Sequence, residues 1–264
     1  MRAFEVPAYG IRGALLGLGA AWREVRARGA DGVDAASRAA LGEALACTAL
    51  LAGALGLRAT VSLQVRRHGA PGLLFAECTE AGTLRGLVRP GDGLADAVLA
   101  LTIERAGQRQ QAQVPFERDG VAAALAAHFA RSENLPTQWR IALDDERAAA
   151  ILVQQSSAPE DEAGAALALA ALGDAALHES AEALLGQVFG DADVRLYPER
   201  PLRFACSCSR ERVLAALRGI DPAELEGAPG AALEVACECC GARYAVEPAA
   251  LSAGPADERH QRAP

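Results

Sequence analysis

The sequence predicts an α+β fold in three parts. These are an N-terminal mixed sheet-and-helix domain, a helical linker and a small C-terminal module built on four cysteines. Three observations carry this. Residues 1–157 mix one long helical apolar pattern with several short runs of apolar/polar alternation. Residues 158–203 lose the alternation and carry leucines at helical spacing between acids and glycines. Five of the seven cysteines then crowd between Cys206 and Cys240.

In order along the chain, Ile11–Leu18 is apolar and reads as extended, and Ala20–Arg28 as a helix with its charges toward the end. Ser37–Leu55 is the strongest helix. Leu41, Leu45, Thr48, Leu51 and Leu55 recur every three or four residues, and Gly56 stops it. Cys47 falls inside it as a core residue. Val61, Leu63 and Val65 alternate, His68–Gly72 turns the chain, and Leu73–Cys78 returns as the second arm of a hairpin. Cys78 is structural at a strand end. Thr83–Val88, Val98–Glu104 and Gln110–Val114 are further strands and Val121–Arg131 a helix. Trp139, Ile141 and Leu143 alternate as a strand, with Ala149–Gln154 closing the sheet.

The linker, 158–203, opens on Pro159-Glu160-Asp161-Glu162, acids suited to a helix N-terminus. Gly164–Leu172 and Glu179–Phe189 read as its helices, and Tyr197–Pro201 breaks regular structure. A segment this apolar has too few residues for a core of its own, so it is expected to pack on a neighbour. The module, 204–250, has Ser209 as the cap of a helix Arg210–Arg218. A second start signal stands at Asp221-Pro222-Ala223-Glu224. Leu233, Val235 and then Tyr244, Val246 flank the cysteines as a hairpin. The tail, 251–264, is polar and expected to be disordered.

Composition removes whole classes of function. Every one of the 26 basic residues is arginine, so Schiff-base lysine chemistry is excluded. A net charge of −8 argues against nucleic-acid binding, which needs a basic face. An odd number of cysteines fits a reducing cytosol better than a secreted disulfide scaffold, so a cytoplasmic location is expected. Gly13–Trp22 lacks the charged flank and cleavage site of a leader. The longest uncharged stretch, Ala44–Leu57, falls short of the about 20 residues of a membrane span. No membrane association is expected. Gly17-Leu18-Gly19-Ala20-Ala21-Trp22 is half a dinucleotide fingerprint with tryptophan at the third glycine. His178-Glu179-Ser180-Ala181-Glu182 lacks the second histidine of a zincin. His68, His128, His178 and His260 form no cluster, so no enzyme is expected.

The cysteines form two close pairs. Cys206-Ser207-Cys208 is a C-x-C. Cys237-Glu238-Cys239-Cys240 is a C-x-x-C with an extra thiol inside. Two pairs separated by a short helical stretch can supply four thiolates to one tetrahedral zinc. Gly241 allows a tight turn after Cys240. This favours Cys206, Cys208, Cys237 and Cys240 as ligands of one zinc per chain, with Cys239 a bystander. Arg203, Arg210, Arg212 and Arg243 lie near in sequence to offset the charge of four thiolates on one zinc. Four cysteines close the coordination sphere, which also disfavours a zinc enzyme. A zinc-ribbon nucleic-acid-binding or assembly protein is the alternative, weakened by the acidic charge and few aromatics.

Phe204–Arg212, F-x-C-x-C-S-R-E-R, and Cys237–Tyr244, C-x-x-C-G-x-x-Y, resemble the redox-regulated 33 kDa heat-shock chaperone family of bacteria. Arg131–Thr137 extends the likeness, with Asn134 where glutamine is usual, and so does Leu84-Arg85-Gly86. The resemblance implies a stress-response holdase that binds unfolded client proteins without ATP. It implies that Cys206, Cys208, Cys237 and Cys240 hold zinc in the reduced, inactive state. On oxidation these would form Cys206–Cys208 and Cys237–Cys240 disulfides, release the metal and unfold the module. A homodimer is expected when oxidised. Loss of the module should loosen the linker and expose apolar surface.

Overall fold

The computed structural model describes residues 1–29, 32–54, 59–66, 72–89, 97–116, 120–155, 169–220 and 232–252. The chain divides into two compact units, Met1–Ala205 and Cys206–Pro264. Strands of the first unit are β1 (Arg2–Val6), β2 (Ile11–Leu18), β3 (Ala59–Arg66), β4 (Leu73–Cys78), β5 (Thr83–Arg89), β6 (Ala97–Arg105), β7 (Gln108–Phe116), β8 (Thr137–Leu143), β9 (Ala148–Gln155), β10 (Arg195–Leu196) and β11 (Arg203–Phe204). Its helices are α1 (Ala20–Gly29), α2 (Ala35–Ala54), α3 (Val121–Ser132) and α4 (Ala181–Phe189).

Two sheets share one buried helix. The first has the order β10-β1-β2-β9-β8, the second β11-β5-β4-β3-β6-β7. Helix α2 packs on β2, β8 and β9 of the first and on β3, β4 and β5 of the second. Asp34 starts it, accepting from Ser37 N at 2.9 Å and from Ser37 Oγ at 2.7 Å. Leu41, Leu45, Leu50 and Leu51 are all buried, each worth roughly 1.5–3 kcal/mol. By length and composition α2 could cross a membrane, but the fold uses it as a core helix. Glu43 on α2 fastens α3, accepting from Ala122 N at 2.9 Å.

The alternation read in β3 is borne out. Val61, Leu63 and Val65 face the core while Thr60, Ser62 and Gln64 are half-buried on the other face. The hairpin β3–β4 forms in the register Leu63↔Ala76. Ala149–Gln154 does not close a sheet. It lies within β9, an interior strand between β2 and β8, and seven of its eight residues are buried. Both of its faces are covered. Leu152 faces the α2 core, whereas Ala149, Ile151 and Val153 face a second apolar cluster.

That second cluster is formed with the linker. Leu169, Leu172, Leu177, Leu184, Leu185, Val188 and Phe189 pack against Phe4, Val6, Ile11 and Leu15 on the outer face of the first sheet. Phe4 and Phe189 meet with ring centroids 5.7 Å apart. Arg140 on β8 ties the segment down by donating to Leu172 O at 3.0 Å and to Asp174 Oδ1 at 3.2 Å. The helix read as Glu179–Phe189 begins later, as α4. Ser180 caps it, accepting from Ala183 N at 3.2 Å, and Asp174–His178 before it is a 3-10 turn.

From Arg195 the chain crosses from one sheet to the other. β10 pairs antiparallel with β1, Leu196 opposite Phe4. Tyr197 N donates to Ala3 O at 2.9 Å and Arg200 N to Met1 O at 2.8 Å. β11 then pairs parallel with β5, Phe204 opposite Leu84. This strap therefore holds an edge of each sheet. Gly82 makes room for it. Its φ is +73°, and a Cβ there would stand 2.8 Å from Pro201 O. The Gly56 stop, residues 68–71 of the His68–Gly72 turn, the Pro159–Glu162 start, residues 164–168 of the first linker helix, the Asp221–Glu224 start and residues 253–264 of the 251–264 tail lie outside the described residues.

Candidate metal centre

The second unit brings the two cysteine pairs together. Its described elements are α5 (Arg210–Leu217), β12 (Leu233–Ala236), β13 (Arg243–Val246) and α6 (Pro248–Ser252). Ser209 caps α5 as its sequence position implies, accepting from Arg212 N at 3.3 Å. Arg212 folds back over the C-x-C and donates to Ser207 O at 2.9 Å. Arg210 crosses to the hairpin and donates to Ala245 O at 2.6 Å.

The hairpin β12–β13 holds the second pair. Val235 lies opposite Tyr244 and Ala236 opposite Arg243, so the C-x-x-C occupies the turn. Cys237 N donates to Ala242 O at 2.8 Å, and Cys237 O accepts from Gly241 N at 2.7 Å and from Cys240 N at 3.3 Å. Gly241 has φ +74°, and a Cβ there would meet nothing within 4 Å. Glycine is required here for its dihedral, not for space.

The Sγ atoms of Cys206, Cys208, Cys237 and Cys240 all lie within 4.8 Å of one another. Cys206 and Cys237 are 3.6 Å apart, Cys208 and Cys240 3.3 Å. A zinc about 2.3 Å from each of four sulfurs sets them about 3.8 Å apart. The donor set and its spacing thus fit such an ion. Cys239 is outside this group and is 7% exposed, one of two buried side chains among the unit's described residues; the other is Val246.

Within the cluster, Cys206, Cys208 and Cys240 are shifted in different directions. Cys208 is lowered to about 7, first because the Tyr244 hydroxyl donates to its sulfur at 3.0 Å. Tyr244 is pushed up to about 12 by the same bond. Burial pushes Cys240 up to about 12, and burial also raises Cys206. Outside the cluster, burial raises Cys78 to about 11 and lifts Cys47 well above its ordinary value. Both are buried in the α2 core, which agrees with reading them as structural.

Sequence reasoning placed Tyr244 in the hairpin but missed its bond to sulfur. Its position four residues after Cys240, on the returning strand, was the available signal. The arginines near the cluster in sequence also have partners of their own. Arg210 and Arg212 hold backbone carbonyls, Arg243 lies 4.0 Å from Glu234 on an exposed face, and Arg203 belongs to the first unit. Trp22, in the half fingerprint, is a core residue whose Nε1 donates to Asp144 O at 2.8 Å.

Comparison with known proteins agrees with this architecture. The family model described as "Hsp33 protein" matches residues 1–247. The 33 kDa chaperonin of Azotobacter vinelandii is 36% identical over 77% of this chain and 77% of its own. That of Pseudomonas syringae pv. tomato is 33% identical over 95% of this chain and 94% of its own. The crystal structure of the 33 kDa chaperonin from Thermotoga maritima superposes with a TM-score of 0.77. It covers 95% of this chain and 96% of that one at 21% identity, a likeness of fold.

Proposed function

The chain belongs to the Hsp33 family of heat-shock chaperones, and from that premise we propose that it is a redox-regulated holdase that needs no ATP. The observation that carries this is the convergence of four thiols from two knuckles in a unit whose described residues bury only Cys239 and Val246. In the reduced state Cys206, Cys208, Cys237 and Cys240 hold one zinc, which supplies the module's folding energy. Structural zinc contributes roughly 10–16 kcal/mol in small peptides. The four thiolates remain oxidisable.

Cys206 and Cys208 form one disulfide and Cys237 and Cys240 the other. Each pair gives two electrons to a two-electron oxidant such as a peroxide, the sulfurs lose their charge, and zinc is released. Without it the module, from 206 onward, unfolds. The strap next to it then loses its fixed end. The linker, whose apolar side chains cover the outer face of the first sheet, loosens. Both apolar surfaces become available to unfolding proteins in the cytoplasm, and their self-association gives a homodimer.

The test is suppression of aggregation of a thermally unfolding reporter by reduced and oxidised protein, with zinc release and hydrogen exchange followed in parallel. The expected result is about one zinc per chain released on oxidation, suppression only after oxidation, and faster exchange over 169–190 with 37–54 still protected. Suppression that does not depend on oxidation would remove the switch. A linker that stays protected while the oxidised protein suppresses aggregation would place the client surface elsewhere.

A further inference from the structure

The edge of β5 has more capacity for strand pairing than the chain places on it. β5 runs from Thr83 to Arg89, but β11 covers only Thr83 and Leu84. Gly86 and Val88 share the phase of Leu84, so by the two-residue repeat their N–H and C=O groups turn to the same edge. No strand among the described residues covers them there.

What does sit on this edge is an extended segment, Leu202-Arg203-Phe204-Ala205. Arg203 N donates to Gly82 O at 3.1 Å and Ala205 N to Leu84 O at 3.1 Å. Leu202 and Phe204 both pack on the α2 core cluster, and the Arg28 guanidinium lies 5.3 Å from the centre of the Phe204 ring. Arg203 between them is exposed. A sheet edge takes an extended peptide in this manner, through main-chain bonds and alternate side chains in apolar seats. The hold is partial, because Leu202 and Phe204 remain half-buried, and it ends at Ala205, where the cysteine unit begins.

We infer that the β5 edge from Gly82 to Val88 is a strand-addition site for an extended segment of an unfolded protein with apolar residues at alternate positions. Leu202–Ala205 is the chain's own placeholder in it. This rests on the proposed function for what frees the placeholder, namely the unfolding of the unit that starts at Cys206. While tethered, the placeholder wins by local concentration. Once the tether loosens, a client segment long enough to continue past Leu84 along Gly86 and Val88 makes more main-chain bonds than the placeholder does.

The test uses full-length protein and a labelled peptide copying residues 199–207 with Cys206→Ser, followed by fluorescence anisotropy. The peptide should bind the oxidised protein at least about tenfold more tightly than the reduced protein. N-methylation at the positions of Arg203 and Ala205 removes the two donors and should weaken binding by about tenfold or more. N-methylation at Phe204, whose N–H faces away by alternation, should leave it within about twofold. A Leu202→Ser/Phe204→Ser double variant should bind the peptide even when reduced and zinc-loaded. Failure of the peptide to bind both oxidised protein and this variant overturns the site, and so does equal sensitivity to all three methylations. Aggregation suppression by the same oxidised sample judges the proposed function separately, since it can succeed while the peptide fails.

Discussion

The two units reach order by different physics. Met1–Ala205 is held by burial, with one apolar cluster around α2 and another beneath the linker. Cys206–Pro264 buries only Cys239 and Val246 among its described residues. Its short elements are joined by hydrogen bonds and by the meeting of four sulfurs. A unit of this size is marginal on burial alone. The core around α2 should therefore be insensitive to thiol chemistry, and the second unit should depend on it entirely.

Removing a thiol from the cluster should have the largest effect. Cys237→Ser is expected to lower zinc from about one per chain to below about a tenth and to unfold the second unit, as chelation should in the unaltered chain. Metal analysis and hydrogen exchange check it, with 37–54 still protected. Cys240→Ser should act likewise. Cys239→Ser should keep the metal, because its sulfur lies outside the group of four. Loss of metal in Cys239→Ser but not in Cys240→Ser would reverse the ligand assignment.

The reverse experiment acts on the core. Leu50→Ala, at a fully buried position of α2, should destabilise the first unit by about 2–5 kcal/mol. A lower urea midpoint for 37–54, with zinc content unchanged, is the expected outcome. Equal loss of zinc would mean that the two units do not fold separately.

How far the sequence reveals each unit follows from the same contrast. β3, β4 and α2 were legible because burial writes a period into the chain, as in Val61, Leu63 and Val65. The cysteine pairs were legible because a metal demands fixed donors at close spacing. β10 and β11 were not, since each is two residues long and exists only because a sheet edge is there to receive it. β1 was missed although Phe4 and Val6 alternate, because five residues give little periodicity to read. The Tyr244 bond to Cys208 depends on hairpin register and on where the C-x-C pair meets it, and spacing encodes neither.

Gly82→Ala probes the strap where it holds the second sheet. Its φ of +73° is unfavourable to an L side chain by about 1–2 kcal/mol, and the new Cβ would stand 2.8 Å from Pro201 O. Residues 195–205 should exchange faster by about tenfold while zinc is retained. On the proposed function, the reduced variant should also suppress some aggregation. Unchanged exchange in the strap would show that Gly82 does not govern its docking.

The smallest effect sharpens the comparison most, because it sets the same chemical group in two surroundings. Burial drives Cys78 up to about 11, whereas the Tyr244 hydroxyl holds Cys208 down at about 7. A thiol lowered in the fold favours the folded form at high pH. That contribution is complete above the ordinary value of 9.0 and is lost as the pH falls through about 7. Metal binding requires the thiolate, so affinity should fall across the same window. Tyr244→Phe removes the hydrogen bond that favours the thiolate, and the Cys208 thiol should move back toward its ordinary value. At neutral pH the variant must then displace a proton that the parent has already half lost. Competition against a coloured chelator should show metal affinity at pH 7 reduced by about tenfold or less. The half-retention pH should move upward, and the difference should vanish above about pH 9. A parallel fall at all pH values would instead mean that Tyr244 matters for packing, because only loss of the hydroxyl's bond to sulfur is confined to the window where Cys208 titrates.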